Sequence, residues 1–280
     1  MLVCIYNLFD GIKNGDKFSV DVVVCTKNRA SILLDCVKRL SEIIAYNKLY
    51  IFDGSDHPSW KILDVISDEY CGEIINVPPT MKFGAVRNLA MKTSTADYVA
   101  MIDDDITLAE NWFPEVIKPF RSPDVVAVCC QLLFDHPIIG KLSKSNTRDS
   151  GGSGGASLYD RQKVLDLGNF NPNIHRGEDM ELELRIIANG FRWVRTRSTS
   201  ALHPITTTEF LSRAKANVVG WDFIMKNSNH KTAFVSKRFG STLVMPVFYF
   251  WKTFDLRSVG LWAIYKWQSL LYWLTGKYTK

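Results

Sequence analysis

Three short apolar runs, each closed by a cluster of polar residues, constrain this chain more than any other feature. Asp21–Cys25 runs into Thr26, Lys27, Asn28 and Arg29; Leu49–Phe52 into Asp53, Gly54 and Ser55; Tyr98–Ile102 into Asp103, Asp104 and Asp105. Helical periodicity fills the gaps between them. Ser31 is placed to cap a helix reaching about Tyr46, with Ile32, Cys36, Leu40, Ile43 and Ile44 on one face. Further helices are expected over about Trp60–Tyr70 and Phe83–Thr93, with a strand at Glu73–Val77 between them. Strand–helix alternation of this kind predicts an α/β fold, a mostly parallel sheet with helices on both faces. Ligands of such sheets gather beyond the carboxyl ends of the strands, so the alternation sets the three polar clusters along one rim.

The second half is less regular. A strand is expected over Asp124–Phe134, then a Gly/Ser-rich stretch, Gly140–Ser157, that carries Lys141, Lys144, Arg148 and the run Gly151–Gly155. Long segments of this composition inside a compact domain are functional lids or surface loops. A helix should start near Gly177, Glu178 and Asp179 and end at Gly190, followed by a strand at Arg192–Thr196 and then His203 and Pro204. Beyond Met245 the composition shifts to Trp251, Trp262, Trp267 and Trp273 among other rings, with Lys252, Arg257, Lys266, Lys277 and Lys280 against the single acid Asp255. The expected organisation is a body over 1–242 and an amphipathic helical, aromatic-rich tail over 243–280. The tail reads either as a membrane-surface segment over 248–278 or as a helix packed on the body. Val259–Leu274 carries Lys266 and Gln268 and is too short and polar to span a bilayer.

Charge and cysteine usage narrow the field. The net charge of +5 suits phosphates or an anionic surface. No nucleic-acid-binding signature accompanies it, so no nucleic-acid partner is expected. The six cysteines, Cys4, Cys25, Cys36, Cys71, Cys129 and Cys130, form no Cys-x-x-Cys pair. They read as reduced thiols of a cytoplasmic protein, positioned at the cytoplasmic face of the membrane if the tail binds there. The first ten residues turn polar too soon for a signal peptide.

Three consecutive carboxylates at a strand end repel one another, and a divalent cation, Mg²⁺ or Mn²⁺, relieves that repulsion. Such a cation can hold a diphosphate in turn. The bland alternative is one helix cap and two solvated acids. Asp53 can accept from a nucleobase N–H, and Thr26, Asn28 and Arg29 can approach a nucleotide. Lys82, Arg87 and Asn88 stand where a helix begins and can face base or phosphate.

Taken in order, Val22–Arg29, Phe52–Ser55, Gly84–Asn88, Ile102–Asp105 and Gly177–Asp179 resemble the family 2 glycosyltransferases, over about Asp21 to His203. The resemblance implies a GT-A-like, Rossmann-type mixed sheet flanked by helices. It implies inverting transfer of a sugar from a nucleotide-sugar donor to a glycan or lipid-linked glycan acceptor. Asp103 and Asp105 match the ends of the Asp-x-Asp motif, with Asp105 the direct metal ligand and Asp103 near ribose or metal, and Asp104 between them at the donor. Asp53 matches the nucleobase aspartate. Asp179 matches the general base, with Glu178 beside it orienting the acceptor, and His203 stands where members carry an additional metal ligand. A polyprenyl-phosphate sugar synthase is the alternative within the family, although Gly84–Asn88 lacks its glycine-rich run. An inactive glycan-binding or scaffold protein is the alternative of another class. A sugar-1-phosphate nucleotidyltransferase wants a glycine-rich loop that Thr26–Ser31 does not supply.

Overall fold

The computed structural model describes residues 9–10, 17–137, 139–140, 154–211, 260 and 263–269. Lys141, Lys144, Arg148 and most of the 243–280 tail lie outside the described residues. The elements are β1 (Phe9–Asp10), β2 (Lys17–Phe18), β3 (Val20–Thr26), α1 (Ala30–Ile43), β4 (Lys48–Asp53), α2 (Trp60–Tyr70), β5 (Gly72–Asn76), α3 (Phe83–Thr93), β6 (Tyr98–Asp103) and β7 (Thr107–Leu108). They continue with α4 (Trp112–Ile117), β8 (Val125–Asp135), β9 (Ala156–Asp160), α5 (Arg161–Asp166), α6 (Glu178–Ala188) and β10 (Arg192–Pro204).

Side chains alternate across a strand, and β3 shows how that builds two cores. Val22 and Val24 face the apolar layer that holds Leu33, Val37 and Leu40 of α1, Leu63 and Ile66 of α2, and Trp112 and Phe113 of α4. Val23 faces the opposite layer, with Val86, Ala90 and Met91 of α3 and Leu182 and Ile186 of α6. Tyr159 of β9 meets Phe170 and Trp193 edge-on at 5.6 and 5.4 Å in that second layer. Each such pair adds about 0.5–1.5 kcal/mol beyond its buried area.

The eight-stranded sheet has the order β5-β4-β3-β6-β9-β8-β10-β7. Its first four strands pair in parallel, and the register sets Thr26 beside Asp53 and Cys25 beside Asp103. The sheet becomes mixed at β9, which runs antiparallel to both β6 and β8. Beyond it β10 is parallel to β8 and antiparallel to β7, with Leu202 opposite Thr107. That last pairing matters for the site. The chain leaves the acidic triplet, forms β7, and is held against β10 one residue from His203.

Two local expectations change. The first helix starts at Ala30 with Arg29 as its N-cap, and Ser31 lies inside it, because Asn28 at φ 58° turns the chain earlier. Asn tolerates that left-handed conformation better than most residues. Cys71 is disulfide-bonded, which overturns the expectation of six reduced thiols, whereas Cys25, Cys36, Cys129 and Cys130 are free. Cys71 is an exposed residue at the left-handed C-cap of α2, a setting unlike that of the strand thiols. No spacing rule on the sequence separates the two.

Candidate functional site

The rim begins at the ends of β3 and β4. Thr26 is buried and donates from Oγ1 to Asp104 Oδ2 at 2.6 Å. Asp53, also buried, accepts the Ser55 backbone N–H at 2.8 Å on Oδ1. Gly54 N–H donates to Thr26 O at 3.0 Å, which ties the two strand ends together. The Asn28 side chain is engaged with Asp56, donating to its carboxylate at 2.9 Å and accepting its backbone N–H at 3.0 Å. It therefore braces two loops against each other.

The three aspartates part company in space. Asp104 points inward, and burial pushes its carboxyl up to about 6 against the pull of the Thr26 hydroxyl and of Arg29. Arg29 reaches from the start of α1 to Asp104 Oδ1 and Asp105 Oδ2, both at 2.7 Å. Asp105 Oδ1 is buried without a hydrogen-bond partner and lies 3.6 Å from His203 Nε2. His203 Nδ1 sits 2.6 Å from Pro204 O. A carbonyl only accepts, so Nδ1 donates to it, and Nε2 is the ring atom that faces Asp105. A carboxylate oxygen and an imidazole nitrogen are both ligand types for a divalent cation, and these two could hold one between them. Among the described residues no group of three or more His, Cys, Asp or Glu could hold a metal alone. A cation here would need substrate oxygens to complete its shell, which is the usual habit of Mg²⁺ beside phosphates.

Asp103 faces the other way, toward α3. Its Oδ1 accepts from Arg87 Nη2 at 3.2 Å. Arg87 Nη1 lies 3.0 Å from Glu178 Oε1, an ion pair without hydrogen-bond geometry. Arg87 is 3 % exposed and Glu178 5 %. Burial opposes the charge on Arg87, but Glu178 and Asp103 outweigh it and hold the guanidinium protonated. Burial also pushes Glu178 up to about 7, with Arg87 pulling the other way. Glu178 thus turns to Arg87, not to open space above the rim. Asp179, next in sequence, accepts from Met180 N at 2.8 Å and from Gly154 N at 3.1 Å.

Lys82 and Asn88 are committed to the segment ahead of α6. Lys82 Nζ donates to Asn173 O at 3.0 Å and Asn88 Nδ2 to Phe170 O at 2.6 Å. The structure therefore gathers Thr26, Arg29, Asp53, Asp103, Asp104, Asp105 and His203 on one rim, with Arg87, Glu178 and Asp179 adjoining it. Asn28, Lys82 and Asn88 serve as braces around it.

The two glycines at the end of the Gly/Ser stretch escaped the residue-level reading. A Cβ on Gly154 would lie 1.8 Å from Arg87 Nη1, and one on Gly155 2.2 Å from Asp103 Oδ2. Only glycine lets the backbone pass so close to these side chains. The run Gly151–Gly155 was the available signal.

Comparisons with known proteins bear on the family and the fold. The model of the family described as Glycosyl transferase family 2 matches residues 21–166, more than half of the chain. The chain is 26 % identical over 196 residues to the pre-mycofactocin glycosyltransferase of Mycobacterium tuberculosis, strains CDC 1551 / Oshkosh and ATCC 25618 / H37Rv. That match takes in 62 % of this chain and 40 % of the relatives, so the chain spans about two fifths of their length. Among solved structures, the mannosyltransferase PcManGT from Pyrobaculum calidifontis, in complex with GDP-Man and Mn²⁺, superposes with a TM-score of 0.71 at 15 % identity, covering 93 % of this chain and 88 % of that one. GalNAc-T7 with UDP, GalNAc and Mn²⁺ gives 0.58 at 13 % identity, over 71 % and 47 %. At these identities the likeness speaks for the fold alone: a mixed α/β sheet flanked by helices, of the GT-A type.

Proposed function

The chain belongs to glycosyl transferase family 2, and from that premise we propose that it moves a sugar from a nucleotide-diphosphate-sugar, UDP-linked in the simplest case, to an acceptor hydroxyl with inversion. The observation that carries this reading is the rim itself. Donor-side groups, Asp53, Asp103 and Asp105, and the candidate base Asp179 converge on the carboxyl ends of β3, β4 and β6. The structures of PcManGT and GalNAc-T7 each contain Mn²⁺. A divalent cation between Asp105 and His203 would neutralise charge on the diphosphate leaving group. In this reading Asp53 accepts from the nucleobase and Asp103 serves the ribose or metal. Asp179 takes the proton of the acceptor hydroxyl as its oxygen bonds to the anomeric carbon and the carbon–diphosphate bond breaks. One displacement inverts the centre.

A glycan or lipid-linked glycan is the proposed acceptor, met at a membrane surface. No helix among the described residues is long and apolar enough to cross a membrane. The helical residues 263–269 expose Trp267 and Ile264, and Tyr265 stacks on Phe210 at 4.8 Å, so this part of the tail touches the body while offering an apolar face. The proposed division into a body over 1–242 and a tail over 243–280 rests on the change of composition. The cytoplasmic placement rests on the basic, aromatic tail alone, since the disulfide at Cys71 removes the thiol argument.

The test is a thermal-shift panel of UDP-, GDP- and dTDP-sugars, with and without Mn²⁺, on wild type and Asp105→Asn. A bound ligand raises apparent stability by mass action. A metal-dependent shift for one nucleotide, lost in the variant, is the expected result. A folded protein that shifts with none of them at high concentration has no donor site, and a binding or scaffolding role takes its place.

A further inference from the structure

Arg87 does more than line the donor site. We propose that it is a positioning residue that sets the Asp103 carboxylate and the Asp179 carboxylate in one fixed relation, an inference that rests on the donor-site reading above. Its guanidinium closes a circuit. Asp103 Oδ1 accepts from Nη2 at 3.2 Å, and Glu178 Oε1 lies 3.0 Å from Nη1. A single peptide separates Glu178 from Asp179. Asp179 accepts from Gly154 N–H at 3.1 Å, and Gly155 O accepts the Asp103 N–H at 2.8 Å, which returns to the start. Together these links join the end of β6 to the start of α6 through Arg87 on one side and Gly154–Gly155 on the other.

The setting is built for rigidity. Phe83, one turn earlier on α3, lies under the guanidinium with its ring centroid 4.6 Å from Cζ, and Phe170 stands 5.9 Å away. Both forks face carboxylates in a site that is 3 % exposed, so a phosphate would have to displace one of them. The rest of α3 holds the same neighbour. Besides the Lys82 and Asn88 contacts, Phe83 N–H reaches His175 Nδ1 at 3.4 Å and Gly84 N–H donates to Ile174 O at 2.9 Å. The segment that delivers Glu178 and Asp179 is therefore clamped to α3 along its length, and Arg87 carries that clamp through to Asp103. Lysine keeps the charge but, as a point donor without the planar fork, cannot serve both carboxylates in this geometry.

The experiment is a double-mutant cycle on Glu178→Gln and Arg87→Lys. It reads Mn²⁺–nucleotide affinity by calorimetric titration, using the nucleoside diphosphate that wild type binds best, with Tm measured alongside. Glu178 is buried with its Oε1 3.0 Å from Arg87 Nη1, so its replacement tests whether the guanidinium passes its effect on to Asp103. Each single variant should weaken affinity by about three- to tenfold, and the double variant should be no weaker than Arg87→Lys alone, since coupled residues are not additive. Additive losses, or a Glu178→Gln protein of lower Tm with wild-type affinity, would reduce the pair to a structural contact and overturn the proposal. Loss of binding in Arg87→Lys with none in Glu178→Gln would make Arg87 a direct phosphate ligand, which also overturns it. Should either variant fail to fold, Phe83→Leu loosens the guanidinium without touching a charge. Its effect on affinity should be present in the wild-type background and absent beside Arg87→Lys in any double variant that folds; an unchanged affinity in Phe83→Leu argues against the coupling. A wild type that binds no nucleotide sinks the donor-site reading and this inference together, whereas binding with independent variants sinks only the inference.

Discussion

The guanidinium of Arg29 donates to Asp105 Oδ2 at 2.7 Å and so occupies a carboxylate that the donor-site reading assigns to a metal. The same side chain reaches Asp104 Oδ1 at 2.7 Å. A cation of the protein's own thus relieves the repulsion within the triplet. Arg29 is 42 % exposed, so the bridge is screened by solvent and can yield to a divalent ion.

Arg29→Met should therefore tighten Mn²⁺ binding in the absence of nucleotide by about fivefold, the order a half-exposed ion pair is worth. It should also lower Tm in metal-free buffer, because Asp104 loses the charge that offsets its burial, and Mn²⁺ should recover part of that loss. Titration of Mn²⁺ into wild type and variant checks both. Weaker binding in the variant would mean that Arg29 organises the carboxylates for the metal instead of competing with it.

Glu178 gives a pH prediction with a defined sign. Burial lifts its pKa from 4.5 to about 7 in the folded protein. The folded state then binds the proton more tightly than the unfolded chain, so the stability it contributes is complete below the unfolded pKa and disappears as pH rises through the folded one. Asp104, lifted from 3.8 to about 6, acts in the same direction over a lower range. Glu178→Gln mimics the protonated form. The Tm of the variant minus that of wild type should widen between about pH 4.5 and about pH 7, the window between the two pKa values. A constant difference would show that Glu178 stays ionised throughout.

Asp179→Asn should reduce sugar transfer by about a hundred- to ten-thousandfold, the usual contribution of a positioned base. Asn keeps the shape of the carboxylate, and the Asp179 side chain accepts from Gly154 and Met180 N–H without bonding to Asp53 or Asp105, so nucleotide affinity should be unchanged. Initial rates with saturating acceptor, paired with a nucleotide titration, separate the two effects. Transfer that survives at wild-type rates would return Asp179 to a structural role at the start of α6.

The rim was readable before the fold because it depends on a general property. Parallel strands deliver their last residues to one edge, so Thr26, Asp53 and Asp103 could be grouped from the ends of three apolar runs. Helices α2 and α3 were equally plain in their periodicity. What hid β9 is its five-residue length and lack of alternation: Ala156, Ser157, Leu158 and Tyr159 are all buried, and a strand covered on both faces shows no period of two. Its first two residues fall within the Gly140–Ser157 stretch, and the sequence pattern marks no strand over the remaining three. The strand expected at Arg192–Thr196 extends to Pro204 across an irregularity between Arg195 and Ser200, where the partner register shifts and the polar run conceals the continuation. Asn28, Lys82 and Asn88 carry the right chemistry for a nucleotide, and only the folded chain shows where they spend it. Their partners lie in loops whose position no local pattern predicts; Asn88 and Phe170 are 82 residues apart.

Gly84→Ala offers the sharpest test of the α3 clamp, because intrinsic propensity and packing pull in opposite directions. Gly84 lies in the first turn of a helix, where alanine is ordinarily worth up to about 1 kcal/mol more than glycine. Here a Cβ would stand 2.3 Å from Asn171 O and 2.6 Å from Ile174 O, with Glu178 Cβ at 3.3 Å. The nearest atoms are backbone and cannot rotate away, so the segment before α6 must shift. Overpacking of this kind costs about 1–3 kcal/mol, enough to outweigh the propensity gain at its upper end. Gly84→Ala should thus lower Tm and, by displacing Glu178 and Asp179 from Arg87 and Gly154, cut transfer more than the lost stability alone explains. Ala85→Gly, one residue along the same helix, should lose about 1 kcal/mol through propensity while keeping the wild-type rate at a temperature where both are folded. If the two variants lose stability and activity in the same proportion, α3 is an ordinary packed helix and the close approach at Gly84 carries no functional weight.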